Sequence, residues 1–538
     1  MRLVLVTALT ACQNGTTPPQ PPPALSPDAV RFLEQSSFGP TEDLVVQVQT
    51  LGIPAYLDAQ LALPATSLGD FPVVVGAQAQ VCPPDTAPRG CVRDNFTAFP
   101  VTVASFANAL HAPDQLRQRV ALALGQILVV SGEEVRSAYG IAAYQQMVID
   151  DAFGNFRQIL EDVTLSPVMG RYLNLVNNDK PNPQKGTNPN ENYARELLQL
   201  FSIGLVELAA DGTPAVGGDG APVPTYDQDV VKATARAFTG WTYPPMPQTA
   251  TKPHNPAYYV GRMVAVAQNH DTASKTILGG AVLPAGQSAE KDLGDTLDAI
   301  FHHANVGPFI GKQLIQHLVT SNPSPAYVAR IAAVFADDGS GARGNMKAVV
   351  RAILLDPEAR GDTKTDMTYG KLREPALLYT ALARAIGTES DGVFFRNTSA
   401  SLEQDIYQPP SVFSFYSPDN PLPGTELVSP PSGVFDSTTA LGRSNFVYTL
   451  VYRGAPPDST VAGSTGTATS LASLATSAGD PGALVDRLDA VLMHKTMPAA
   501  MRQEIVTAVS AVADGDPTGR VRMAVYLIGT SAQYQVER

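Results

Sequence analysis

Asn188-Pro189-Asn190-Glu191-Asn192-Tyr193-Ala194-Arg195-Glu196-Leu197-Leu198-Gln199-Leu200-Phe201 carries its apolar residues at helical spacing. At 100° per residue Ala194, Leu197, Leu198, Phe201 and Leu205 fall within one stripe, the face a core would cover. Asn188 suits the N-cap, Pro189 the first helical position and Glu191 the N3 place of a capping box. Glu191 and Arg195 stand four apart on one edge of the stripe, with Asn192, Glu196 and Gln199 on the far side. The helix thus carries more charge and amide than packing needs, and a polar cluster bordering a buried face is a place for a site.

Outward from that segment, helical periodicity dominates. Residues 28–34, 41–51 and 53–61 read as short helices, 115–130 as a buried helix and 144–163 as one or two more. Further helices are expected at 228–239, 293–301, 306–319, 326–336, 346–355 and 371–386. Asp211-Gly212 and Asp219-Gly220, set among alternating short residues in 206–226, predict a small β-hairpin insertion. Residues 65–98 and the Pro- and aromatic-rich 404–435 are expected to be irregular. The fold class is mainly α, a large multi-helix compact domain spanning 28–455. A low-complexity Gly/Ser/Thr loop at 456–480 and C-terminal helices at 481–538 that pack on the body complete it.

The chain's start bears on its compartment. Met1-Arg2, the short apolar run 3–9 and Leu9-Thr10-Ala11-Cys12 match a bacterial lipoprotein signal, with residues 1–11 as signal peptide and Cys12 as the lipidated residue. The apolar run is far short of the roughly 20 residues that span a bilayer. Residues 12–27, rich in proline, read as an extended tether. These features place the protein in the cell envelope, anchored to the membrane by lipid at the outer membrane or cell surface, and otherwise periplasmic or secreted. With Cys12 set aside, Cys82 and Cys91 remain, and a disulfide between them fits an oxidising compartment, free buried thiols being the alternative. A net charge of −13 and a pI near 5.0 argue against nucleic acid as a partner.

Several long stretches are similar to the bacterial DUF1800 family. They are the segment 31–41 (RFLEQSSFGPT), the segment 116–124 (LRQRVALAL), the 190–205 helix, Tyr226-Asp227-Gln228-Asp229-Val230 with the segment 235–241 (ARAFTGW), and the segment 410–416 (PSVFSFY). The resemblance covers roughly residues 28–535. It implies a secreted, mostly helical protein without a settled activity, so no catalytic residue carries over. Family members are often encoded beside secreted DUF1501 proteins related to the alkaline phosphatase and sulfatase superfamily, which implies such a protein as a partner. Many members have a Gly-Trp pair after the Pro-rich turn, where this chain has Ser414-Phe415-Tyr416, a subgroup feature.

The candidate chemistry has a structural and a functional reading. Structurally, Glu191 caps its helix and Arg195 pairs with it at i,i+4. Functionally, Glu191, Arg195 and Glu196 meet Asp229 and Arg236 in one cleft as a catalytic set, the carboxylates dividing acid and base roles as in glycan-cleaving sites. Asn192, Trp241, His270 and Asp271 are then candidate ligand-binding residues. Thr225 and Gln228 would box the second helix, with Asp229, Lys232 and Arg236 on its polar face. Trp241, the only tryptophan, reads as a core plug or a sugar platform. His270-Asp271 with Lys275 is the most site-like histidine set. His111, His254, His302, His303, His317 and His494 are scattered, and none forms a two-ligand helix motif.

No metal and no cofactor are expected. The segment 339–344 (GSGARG) fits G-x-G-x-x-G but follows a helix rather than a strand, so it reads as an inter-helix loop with Asn345 capping the next helix. Asp211, Asp219 and Asp227 lack EF-hand spacing. Three functions follow as expectations: binding or processing of a surface ligand with a DUF1501-type partner, a carboxylate-based hydrolase acting on an envelope or extracellular glycan, or a non-catalytic surface scaffold. The scaffold would expose an aromatic patch at Phe413, Phe415 and Tyr416.

Overall fold

The computed structural model describes residues 25–362, 366 and 368–538. Cys12, the leader and nearly all of the tether lie outside them. Helices account for most regular structure, and their starts follow the sequence. Thr41 accepts from the Leu44 amide to cap the Glu42–Leu51 helix, and Ser324 caps Pro325–Ala336 with proline at its first position. Asn345 caps Met346–Leu355, as expected for the residue after the glycine loop.

Strands are marginal. Among the described residues they form four antiparallel pairs of two or three residues per strand: Trp241–Thr242 with Val264–Ala265, Lys275–Thr276 with Val282–Leu283, Lys371–Leu372 with Val536–Glu537, and Thr388–Ser390 with Thr467–Thr469. The insertion at 206–226 turns back on itself at Gly212 and Gly220, both left-handed, but its pairing is limited to the isolated bridges Val206–Pro224, Leu208–Pro214 and Val216–Pro222. Each bridge has its proline at a position whose N–H the pairing does not use, and no continuous ladder forms because the segments change partner: Glu207 donates its amide to Val223, Val223 to Ala215 and Ala215 to Glu207.

Two apolar cores hold the molecule. The first gathers side chains from residue 29 to residue 369, including Leu197, Leu198 and Phe201 of the opening segment. The second joins the Pro375–Ala385 helix to Phe446 and Leu450 and to the helices Pro481–Leu492 and Pro517–Gly529. Buried ionic groups bridge the two. Glu34, on the Pro27–Ser36 helix, binds Arg373 at 2.7 Å and also His494, and Lys371 pairs with Glu537 at 2.9 Å across the short 371–372/536–537 ladder. The low-complexity 456–480 is ordered against the body, where Thr460 accepts from Arg93 and the strand Thr467–Thr469 pairs with Thr388–Ser390.

Candidate functional site

The helix of the opening segment runs over Asn192–Gln199, three residues later than a start at Pro189 would put it. Asn178 explains the delay. Its side-chain oxygen takes the Asn190 amide (2.8 Å) and its NH₂ donates to the Asn190 carbonyl (3.2 Å), fixing residue 190 outside the helix. Asn190 in turn accepts from the Asn192 amide (2.9 Å) and so caps the first turn. Ala194, Leu197, Leu198 and Phe201 are buried as the stripe requires, but Leu205 is 54% exposed, because the chain leaves the helix before left-handed Gly204. The Gln228–Ala237 helix is capped by Asp227, which accepts from the Asp229 and Val230 amides, while Thr225 donates to the Gly204 carbonyl instead of boxing with Gln228.

The polar groups of these two helices divide into separate pairings. Arg195 donates to Glu191 (2.8 Å), and Gln228 donates to the same carboxylate (2.7 Å), closing one cluster between the helices. Asp229 pairs with Lys232 on an exposed surface. Arg236 binds Asp271 at 2.6 Å, and the guanidinium outweighs burial to hold that carboxyl below its ordinary value. Next to it, buried Asp292 takes Lys275 (2.6 Å) and His270 (3.1 Å), and His270 Nδ1 meets the Thr239 carbonyl. Trp241 is buried in the first core, and its indole N–H has no partner among the described residues. Cys82 and Cys91 form a disulfide.

Glu196 and Asn192 face elsewhere, and with Leu200 they form an i, i+4, i+8 row. Asn192 donates to the side chain of Asn174 (2.9 Å), which lines an open cavity of about 500 Å³ with Glu133, Glu134, Arg171, Tyr172 and Pro409–Val412. Leu200 lines a second cavity, of about 60 Å³. Glu196 stands between them on the row, half-buried, and its carboxyl makes no hydrogen bond or ion pair among the described residues. Burial pushes its pKa up against the pull of Arg195. Tyr172 rises to about 12 through burial, with Glu134 and Glu196 as the neighbouring charges, so both carboxyls act on one phenol.

The segment 409–416 separates the two cavities, with Val412 in both walls. It is tied down by Ser131, which donates to the Pro409 carbonyl, and by the Gly132 amide on the Tyr407 carbonyl. Its aromatic run is split: Phe413 is 46% exposed, Phe415 is half-buried, and Tyr416 turns inward to donate to Glu374 at 2.5 Å. Ser414 has φ +62°, a conformation L residues rarely adopt and one that gathers at functional sites.

Beneath the smaller cavity lies a buried charged cluster. Glu374 accepts from Gln126, Gln404 and Tyr416, and Arg119, His317 and Lys371 outweigh burial to keep it below the ordinary carboxylate range. His317 lines the cavity, its ring unbonded among the described residues, and burial drives its pKa down to about 4, with Arg119 and Lys371 adding to the shift. The imidazole is therefore neutral near pH 7. Gln126 and Gln316 each direct an NH₂ at groups that only accept, which leaves both amide oxygens without a partner among the described residues.

None of Glu134, Tyr172, His317, Lys371, Glu374 or Tyr416 stands out by local spacing. The one signal is that Arg119 and Tyr416 belong to two of the long motifs that carry the resemblance. Among the described residues no group of three or more His, Cys, Asp or Glu is placed to hold a metal, and no helix is long and apolar enough to cross a membrane. The family model DUF1800, a protein of unknown function, matches residues 31–536. This chain belongs to the DUF1800 family. No curated protein and no solved structure matches it. In this DUF1800 chain, the motifs 116–124 and 410–416 meet at Glu374, and 31–41 reaches the same charged layer through the Glu34–Arg373 pair.

Proposed function

We propose that this chain is a cell-envelope lipoprotein that binds a hydroxyl-rich surface ligand in the open cavity beside Glu196 and processes it by proton transfer. The observation that carries this reading is the place of Glu196, unpaired among the described residues and one helical turn from residues serving each of two cavities. A carboxyl shifted upward by burial keeps its proton closer to neutral pH, as a general acid requires. Glu134, exposed on the wall of the same cavity, supplies the second carboxylate, and carboxyls in unlike surroundings divide acid and base work in glycan cleavage. About 500 Å³ falls within the range of small-molecule sites.

The test is product analysis after incubating purified protein with envelope polysaccharides. Wild type releases fragments, and Glu196→Gln lowers the rate by about 10²–10⁴-fold, the usual worth of a general acid. Glu191→Gln, altered only in its pairing with Arg195 and Gln228, stays within about twofold, as a change outside the acid–base pair should. Equal rates for wild type and Glu196→Gln overturn the acid role. Ligand retention without fragment release reduces the function to binding.

Anchoring through Cys12 and work beside a secreted DUF1501-type protein belong to the same proposal. Cys12→Ala should shift the protein from the membrane to the soluble fraction. A tagged chain should recover the partner from envelope extracts. The scaffold reading has only exposed Phe413 in its favour, since Tyr416 is committed to Glu374.

A further inference from the structure

We infer that the smaller cavity is a second binding site, one that takes the neutral hydroxyl or primary-amide end of a ligand whose body is apolar. The site goes beyond the acid–base role given to Glu196 and does not depend on it.

The walls set the two halves of that chemistry. Phe309, Phe413 and Pro431 line the cavity and offer an apolar lodging for a hydrocarbon body, with Phe413 partly open to solvent. At the polar end the His317 imidazole and the Ser414 hydroxyl line it, each without a hydrogen-bond partner among the described residues. A neutral imidazole presents one donor and one acceptor, and a hydroxyl presents both. The complement is a group that gives and takes hydrogen bonds within a small volume, which a hydroxyl or a primary amide does. About 60 Å³ admits such an end and a short stretch of chain, not a whole sugar.

Charge excludes the ionic alternatives. The ions beneath the cavity are set against one another: Lys371 pairs with Glu537, and Glu374, which accepts from Gln126, Gln404 and Tyr416, is offset by the charge of Arg119, a residue outside the cavity lining. A carboxylate or ammonium brought in would be desolvated without a free counter-ion. The position itself already disfavours a positive charge, since His317 gives up its proton there.

Ser414 supports a role for this wall. Its left-handed backbone would be relaxed by glycine, yet the residue there carries a hydroxyl that makes no hydrogen bond among the described residues.

The test is calorimetric titration of the full chain with hexan-1-ol, hexanamide, hexylamine and hexanoate at one pH, repeated at pH 5.5 and 8. The alcohol or the amide should bind at least about tenfold more tightly than both ions, tenfold being the loss expected when one buried hydrogen bond or its equivalent goes unmade. Which of the two neutral probes is tighter identifies the end group. Their affinity should be the same at both pH values, since His317 stays neutral across that interval. His317→Leu should weaken the neutral probes about tenfold, and Ser414→Gly, which suits the local backbone and so preserves the fold, should weaken them similarly. Glu196→Gln should leave them unchanged, which separates this site from the acid role. Equal binding of hexylamine or hexanoate, no heat with any probe because the cavity holds only water, or unaltered affinity in Ser414→Gly overturns the inference.

Discussion

Glu34 shows how much one side chain carries. It is a carboxylate sealed between Arg373 and His494, and although burial favours its neutral form, these two neighbours more than compensate and hold its pKa below the ordinary glutamate value. A carboxyl depressed by folding stabilises the protein above its unfolded pKa, about 4.3, and that contribution is lost as pH falls through the lower folded value. Glu374 is depressed in the same direction by Arg119, His317 and Lys371. Acid titration followed by circular dichroism should therefore show stability falling below about pH 4.3, with a shallower fall in Glu34→Gln. At neutral pH that variant leaves Arg373 buried with its charge uncompensated, and urea unfolding should register a loss of about 3–5 kcal/mol. A flat acid limb in wild type would show that these carboxylates are not depressed. None of this was legible beforehand. Glu34 lies in a motif stretch beside Phe32 and Leu33, but its partners are 339 and 460 residues away. Glu196 was legible as a polar residue off the buried stripe. What isolates it, the pairing of Glu191 with Gln228 from the next helix, was not.

Elements were read better than their ends. The Asn188–Phe201 pattern placed a helix and its buried stripe because both depend on local spacing. The helix starts later than local spacing implies because Asn178, 12 residues before Asn190, competes for that residue's backbone. The 206–226 turns are visible as Asp-Gly pairs, but the exchange of partners among Glu207, Ala215 and Val223 is not, because it depends on where three short segments meet. Gly39 marks where a connection must come close to a helix. It has φ +127°, its carbonyl accepts from Arg384 (2.9 Å), and a Cβ there would lie 2.3 Å from the Ala381 Cα. That atom is backbone of the Pro375–Ala385 helix, so it cannot rotate aside. Gly39→Ala should cost about 3 kcal/mol or more, combining overpacking with an unfavourable backbone conformation. A thermal melt within a degree of wild type would mean that the 36–41 connection shifts freely. The disulfide is a milder constraint. It closes a short loop, and Cys82→Ser with Cys91→Ser should lower stability by about 2–3 kcal/mol in urea.

At the scale of the molecule, the last three helices complete a core begun elsewhere. Sequence periodicity shows that residues 481–538 are helical, but not what their apolar faces meet, because the partners lie in distant parts of the chain. Leu484, Val485, Leu488, Val491, Val521, Val525 and Ile528 are fully buried, in one core with Leu378, Leu382 and Val447. At roughly 1.5–3 kcal/mol per buried aliphatic side chain these seven contribute on the order of 10–20 kcal/mol, as much as the whole net stability of a typical domain. The same segment supplies Glu537 to Lys371, His494 to Glu34 and the Tyr534 carbonyl to Arg373. Its removal would leave three buried charged groups short of partners beside an uncovered apolar face. A chain ending at residue 480 should accumulate as insoluble protein, and supplying residues 481–538 as a separate polypeptide during expression should restore part of the soluble yield. A soluble, monomeric 25–480 chain with cooperative unfolding would show that the first core stands alone. The charged layer would then be a docking surface between two independent units. Lys371 in the wall of the smaller cavity would then lose its Glu537 partner whenever the C-terminal helices leave.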